Sequence, residues 1–312
     1  MPALLVSETA QAAVRALLLA GIMLVVGAVL FMARIAPLFD VGSSVNSTVA
    51  STAVSAVRRR ALHMLRLAVT LVAIALACRL VQQAAAFADA PSEWTSTVSL
   101  VLLQTSWGTG WLVQGAGLVL VAVASGASTR RAGAAWLPLG IGVLALAASP
   151  ALSGHAIGAP RLVALAVAAD TLHVLGAGAW LGTLLVIVVA ALPAVSSAAP
   201  GTLLAMLDRF SPLALASAGA VVLSGAFASW LHLGALDALW TSPYGRTLLV
   251  KLGIVACVAA LGAYNWRVVT PRLRATGEGA ALRRSALVEL SLALLLVVVT
   301  ALLVATPLPA EM

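Results

Sequence analysis

The chain has 312 residues, 62% of them hydrophobic and 9% charged, with a formal net charge of +8. A soluble domain carries about 25% charged residues, so this composition excludes a soluble globular protein and predicts a chain built for lipid. The positive balance does not predict a nucleic-acid partner, because the arginines stand between apolar runs and no basic domain accompanies them.

A membrane-spanning helix needs about 20 mostly apolar residues. In chain order, such runs lie near 13–33, 62–83, 104–125, 132–150, 163–191, 210–231, 246–265 and 285–306. They predict an all-α polytopic membrane protein of about eight helices, joined by short segments. The N-terminus lacks the positive stretch and cleavage site of a secretory signal, so the first run is expected to remain as a helix.

Arginines set the expected orientation. Arg34 and Arg58–Arg60 follow the first run, Arg130 and Arg131 the third, and Arg209 the fifth. Arg267, Arg272, Arg274, Arg283 and Arg284 surround the gap between the seventh and eighth. The alternate segments hold little beyond Arg161, with Asp89, Glu93, Asp237 and Glu311. The positive-inside rule then puts both termini outside, which in a bacterial inner membrane is the periplasm.

The sequence also echoes itself. "TSWGTGWLVQGAGLVLVAVA" (105–124) resembles "TSPYGRTLLVKLGIVACVAA" (241–260), with Gly108 against Gly245 at an offset of 137. A weaker match sets Gly27 against Gly182 at an offset of 155, and so Arg15 and Leu18 against Asp170 and His173. Two four-helix halves, 1–150 and 151–312, are expected, related as a parallel 4+4 repeat about an axis along the membrane normal.

Polar residues inside apolar runs point to function, because a charge at that depth costs about 2.5–3.5 kcal/mol on insertion scales. In "AVAADTLHVLGAGAWLGTLLVIVVAAL" (166–192), Asp170 and His173 share a helix face that Gly176, Ala177 and Trp180 continue. Two readings of Asp170 stand: a pairing with Lys251 or Arg246 that ties helices together, or a place in a site for an ion or cofactor. Gly178 and Gly182 form a GxxxG pattern that predicts close packing on another helix. His155, in the Gly-flanked loop "SPALSGHAIGAP", His232 and Asp237 fall on the same expected outer side. On the inner side, Asn265 and Glu289 are placed to bridge the last two helices, either as a helix-end hydrogen bond or as an exit station for a crossing ion.

Imidazole suits copper, zinc or iron, and thioether suits Cu(I). The helix-borne methionines are few, and Met23 alone lies near the middle of its run. Cys78 and Cys257 are expected to be buried core thiols. A haem held by His173 with His155 or His232 is the alternative cofactor. No nucleophile–base arrangement points to an enzyme, and a structural or assembly role without bound metal is the third reading.

Taken in order, "SGHA" (153–156), "DTLHVLGAGAWLGTL" (170–184), "RFSPLALASAGAVVLSGAFASW" (209–230), "LWTSPYGRTLLVKLGIV" (239–255) and "NWRVVTPRL" (265–273) resemble the copper-resistance D family of bacterial inner-membrane proteins. The Glu289-bearing final helix completes that likeness, which is best over 150–306. The resemblance implies copper handling, with copper moving inward from the periplasm, and a separate periplasmic copper donor of the CopC type. It also implies that His155, Asp170, His173, Trp180, Tyr244, Gly245, Lys251, Asn265 and Glu289 stand at recurrent positions. The expected metal site is His155, His173 and Asp170, with His232, Trp180, Tyr244, Lys251, Asn265, Glu289 and Met23 in support or along a pathway.

Overall fold

A computed structural model of the chain describes residues 7–38, 48–87, 91–127, 135–154, 156–159, 161–195, 200–233, 235–276 and 280–306, and among these it is all-α. Seven helices are long and apolar enough to cross a membrane: α1 (Glu8–Ile35), α2 (Ser55–Phe87), α3 (Ser106–Gly126), α5 (Val163–Ala191), α6 (Leu203–Leu233), α7 (Pro243–Thr276) and α8 (Ala280–Val304). The expected helix near 132–150 is α4 (Trp136–Leu152), apolar but shorter, at about 25 Å along its axis. Two short helices, Trp94–Gln104 and Ala238–Thr241, precede α3 and α7.

Order in the bundle follows from burial. The most apolar stretch of α5 is 72% buried in the protein and that of α1 is 56%, against 11% for α7. The remaining helices are arranged about the α1–α5 pair: α1 packs on α2 and α8, α5 on α4 and α6, and α7 on α8. Ile22, Val25, Phe31, Leu65, Val186 and Ile187 form the buried centre of the main apolar cluster.

Small residues bring α1 and α5 together. Gly27 of α1 meets Gly182 and Thr183 of α5 so closely that a Cβ on either glycine would overlap backbone of the facing helix. Thr183 Oγ1 donates to Gly27 O across this crossing (3.4 Å), and Gly178 leaves room for Val26. The GxxxG of α5 therefore packs where its pattern predicts. Here α5 also widens into a π-turn, Gly178–Gly182, followed by a second at Ile187–Ala191. The entry to α5 is held from outside the bundle, where the Arg161 guanidinium lies over the Trp230 ring of α6 at 4.7 Å.

The paired stretches at 105–124 and 241–260 open on turns built alike. Thr105 and Ser242 are both extended, and their hydroxyls accept from Gly108 N (3.0 Å) and Gly245 N (2.9 Å). Each glycine accepts the backbone of the preceding short helix where a Cβ would not fit. One expectation is corrected: Cys257 is exposed on α7 and Cys78 only half-buried, because the core faces of these helices carry other residues.

Gly182→Ala is expected to destabilise the protein by about 3 kcal/mol or more, since its Cβ would strike Met23 O in a rigid helix. Thermal unfolding in detergent checks this against Gly219→Ala, whose Cβ meets no atom within 4 Å and should leave the midpoint nearly unchanged.

Candidate functional site

A cavity of about 730 Å³ opens in the half of the bundle that holds the N-terminus of α1. Its wall alternates between the starts of α1, α3, α5 and α7 and the ends of α2, α4, α6 and α8, as an up-and-down bundle requires. Arg34, Arg58–Arg60, Arg209, Arg272, Arg274, Arg283 and Arg284 belong to the opposite helix ends.

Asp170, His173, Ala177 and Trp180 of α5 line this cavity at helical spacing. Gly176 leaves the expected stripe and faces α6, where a Cβ would press on Ser217 O and Val221 Cγ2 at 3.0 Å. The imidazole of His173 lies against Gly225 of α6, whose missing side chain makes space for Cε1. Its Nδ1 stands 3.1 Å from Ser224 Oγ, and that hydroxyl donates to Ala220 O at 2.6 Å. A hydroxyl has one proton, so Ser224 Oγ acts as acceptor towards Nδ1–H. An imidazole held through Nδ1 in this way can present its Nε2 lone pair, the arrangement a metal-binding imidazole needs.

Lys251 of α7 lines the same cavity as Asp170. Among the described residues the two make no contact ion pair; the pair that closes is Arg274–Asp208, exposed at the opposite end. Arg246 turns to its own helix start, with Nε donating to Ser242 O at 3.5 Å. The reading of Asp170 as a tie between helices therefore has no closed bond in support.

The first half supplies a different wall. Arg15 of α1 and Arg79 of α2 line the cavity with Gln11, Gln82, Gln83 and Trp107. Arg79 lies over the Trp107 ring at 5.3 Å and donates to Gln114 Oε1 (3.1 Å) and Ser153 Oγ (3.2 Å). Trp107 and Tyr244, each beside the glycine of its matched turn, both face the cavity.

Trp180 lies on the deep side of His173 and connects the cavity to a second polar group. Its indole N–H donates to Glu289 Oε1 (3.0 Å), and Asn265 Nδ2 donates to Glu289 Oε2 (3.3 Å). Glu289 is only 5% exposed. Trp180 and Asn265 sit in π-turns, Gly178–Gly182 and Asn265–Val269, and such turns recur where a helix must re-aim a side chain for function. Asn265 lies about 21 Å along α7 from Lys251, and its Oδ1 is buried without a hydrogen-bond partner among the described residues.

Of the residues expected from sequence, Met23, Asp170, His173, Trp180, His232, Tyr244 and Lys251 line the one cavity, and Asn265 and Glu289 meet beneath it. His155 lies outside the described residues, although its neighbours Gly154 and Ala156 line the cavity. Among the described residues no three of His, Cys, Asp and Glu gather as a ready metal cluster. Sequence reasoning missed Arg79, Gln114 and Ser224, and used Arg15 only as an alignment partner. The cost of an arginine within an apolar run is the signal by which Arg15 and Arg79 could have been found.

Two family models match the chain: the copper resistance protein D-like N-terminal domain over residues 6–161, and copper resistance protein D over residues 204–303. The chain is also similar to the copper transport protein CutJ of Bacillus subtilis (strain 168), at 27% identity over 235 residues. That alignment takes in 72% of this chain and 42% of the relative, so the chain spans less than half of that protein's length. No solved structure matches it.

Trp180→Phe keeps an aromatic plug and deletes one of the two donors to Glu289. It is expected to lower stability by about 1–3 kcal/mol, read as a fall in the unfolding midpoint in detergent.

Proposed function

The chain belongs to the copper-resistance D family, and from that premise we propose that it carries copper across the membrane, inward from the periplasmic face of a bacterial inner membrane. The observation that carries this reading is the donor set on one cavity: the thioether of Met23, the imidazoles of His173 and His232 and the carboxylate of Asp170. Imidazole and thioether are copper donors, and a carboxylate at this depth supplies charge that lipid does not.

In this proposal His173 takes copper through Nε2, with Ser224 fixing the ring through Nδ1. His155, on sequence grounds, is the second imidazole, and Asp170 lowers the energy of the bound cation. Lys251 attracts Asp170 when no metal is present and repels an arriving cation, so copper and the Lys251 ammonium compete for the same carboxylate. Trp180 closes the deep side. Passage inward requires its indole to leave Glu289, which with the unpartnered Oδ1 of Asn265 offers oxygen ligands on the far side.

The arginines at the opposite helix ends support an outward-facing cavity by the positive-inside rule. Copper reaches the cavity from a separate periplasmic donor of the CopC type, again a proposal from the family resemblance. In this reading the protein is a carrier rather than an enzyme.

Metal analysis of the purified full chain tests the proposal. Wild-type protein should retain copper that His173→Ala and His155→Ala lose, and cells carrying either variant should accumulate less copper. Unchanged copper in both variants overturns the site, and a Soret band in the purified sample replaces it with the bis-histidine haem reading. Ser224→Ala should weaken copper binding by about 10–100-fold, the usual cost of removing a group that orients a ligating imidazole. Lys251→Met should strengthen it by about tenfold or more, as expected for a unit charge removed at several ångströms in a partly polar cavity; isothermal titration reads both.

A further inference from the structure

The cavity has an excess of positive charge before any metal enters. Among its described lining residues, Arg15, Arg79 and Lys251 face one carboxylate, Asp170. Among the described lining residues no carboxylate stands with Arg15 and Arg79, whose like charges act unfavourably on each other. Burying cations without counter-charge is costly at this depth, and a copper ion would add to the imbalance.

Hydrogen bonding points the same way. Arg15 Nη1 and Gln114 Nε2 are buried donors with no partner among the described residues, and no unpartnered buried acceptor accompanies them at this end. Arg79 is held in place by Gln114, Ser153 and the Trp107 ring, so its guanidinium is positioned before anything binds. Among the described residues this wall holds no acceptor carrying negative charge.

The matched sequences give the arrangement a simple form. At the offset of 155, Arg15 stands where the second half has Asp170, and Leu18 where it has His173. At the offset of 137, Gln114 stands where the second half has Lys251. Corresponding positions thus carry the guanidinium of Arg15 and the neutral amide of Gln114 in the first set, where the second has the carboxylate of Asp170 and the ammonium of Lys251. We propose that the Arg15–Arg79 wall is an anion site, taking a phosphate-type oxyanion between the two guanidinium groups, either as a free ion or as a phospholipid headgroup. Guanidinium forks suit such a group because their N–H bonds match its oxygens in pairs. The site goes beyond copper carriage and stands whether or not the Asp170 wall holds metal.

Inorganic phosphate is the probe. The full chain, purified in a phosphate-free non-ionic detergent, is titrated with sodium phosphate against sodium chloride of equal ionic strength, followed by calorimetry and thermal unfolding. Wild-type protein should show saturable binding, weakened about tenfold or more in Arg15→Gln and Arg79→Gln and unchanged in the exposed-site control Arg58→Gln. Native mass spectrometry separates the sources: a retained phospholipid that Arg15→Gln loses identifies a headgroup, with free phosphate binding only after delipidation. Should Arg79→Gln fail to fold for want of its Gln114 and Ser153 contacts, Arg15→Gln decides, since Arg15 Nη1 gives up no protein partner. The proposal is overturned if wild-type protein neither binds phosphate nor retains phospholipid, or if Arg15→Gln binds phosphate as the wild type does.

Discussion

Everything in this bundle is arranged about one crossing, where Gly27 of α1 and Gly182 of α5 let two backbones touch. Lipid offers helices no hydrophobic reason to associate, so close van der Waals packing must hold them, and small residues make it possible. The same contact fixes what lies above and below it. Asp170 and His173 stand on α5 more than two turns to one side of Gly182, and Arg15 stands some three turns from Gly27 on the same side. A shift at the crossing would move both walls of the cavity.

The positions that matter most chemically are polar groups that the surrounding lipid would otherwise reject. Each has a physical device that makes it tolerable. His173 is bonded to Ser224, Glu289 has a donor on each oxygen, and Arg79 is bonded twice and stacked on Trp107. Asp170, Lys251 and Arg15 have no hydrogen bond of this kind among the described residues and face the cavity together with His173 and Arg79.

The spans were legible in the sequence because a membrane imposes length and apolarity directly on the chain. Asp170 and His173 were legible for the complementary reason, that they break the rule within a run that otherwise obeys it. Which helices are neighbours was not legible, since periodicity shows a helix its own faces and not its partners. Hence Arg79 could not be connected with Gln114, 35 residues away, or His173 with Ser224, 51 residues away. Cys257 was misjudged on the same account: an apolar run in lipid does not tell its core face from its lipid face as a soluble helix does.

The π-turns at Gly178–Gly182 and Asn265–Val269 make α5 and α7 sensitive to chain length rather than to residue type alone. A π-turn accommodates one residue more than the α-helical turn it replaces. Deleting a single residue there would restore regular helix and rotate the side chains within the turn, while the helix beyond it keeps its phase. In α5 that rotation would separate Trp180 from the register of the GxxxG crossing; in α7 it would swing Asn265 out of reach of Glu289. Both helices could then remain apolar, helical and inserted while the connection through Glu289 was lost. For these two segments, the spacing of the chain is as much a part of the site as the side chains it carries.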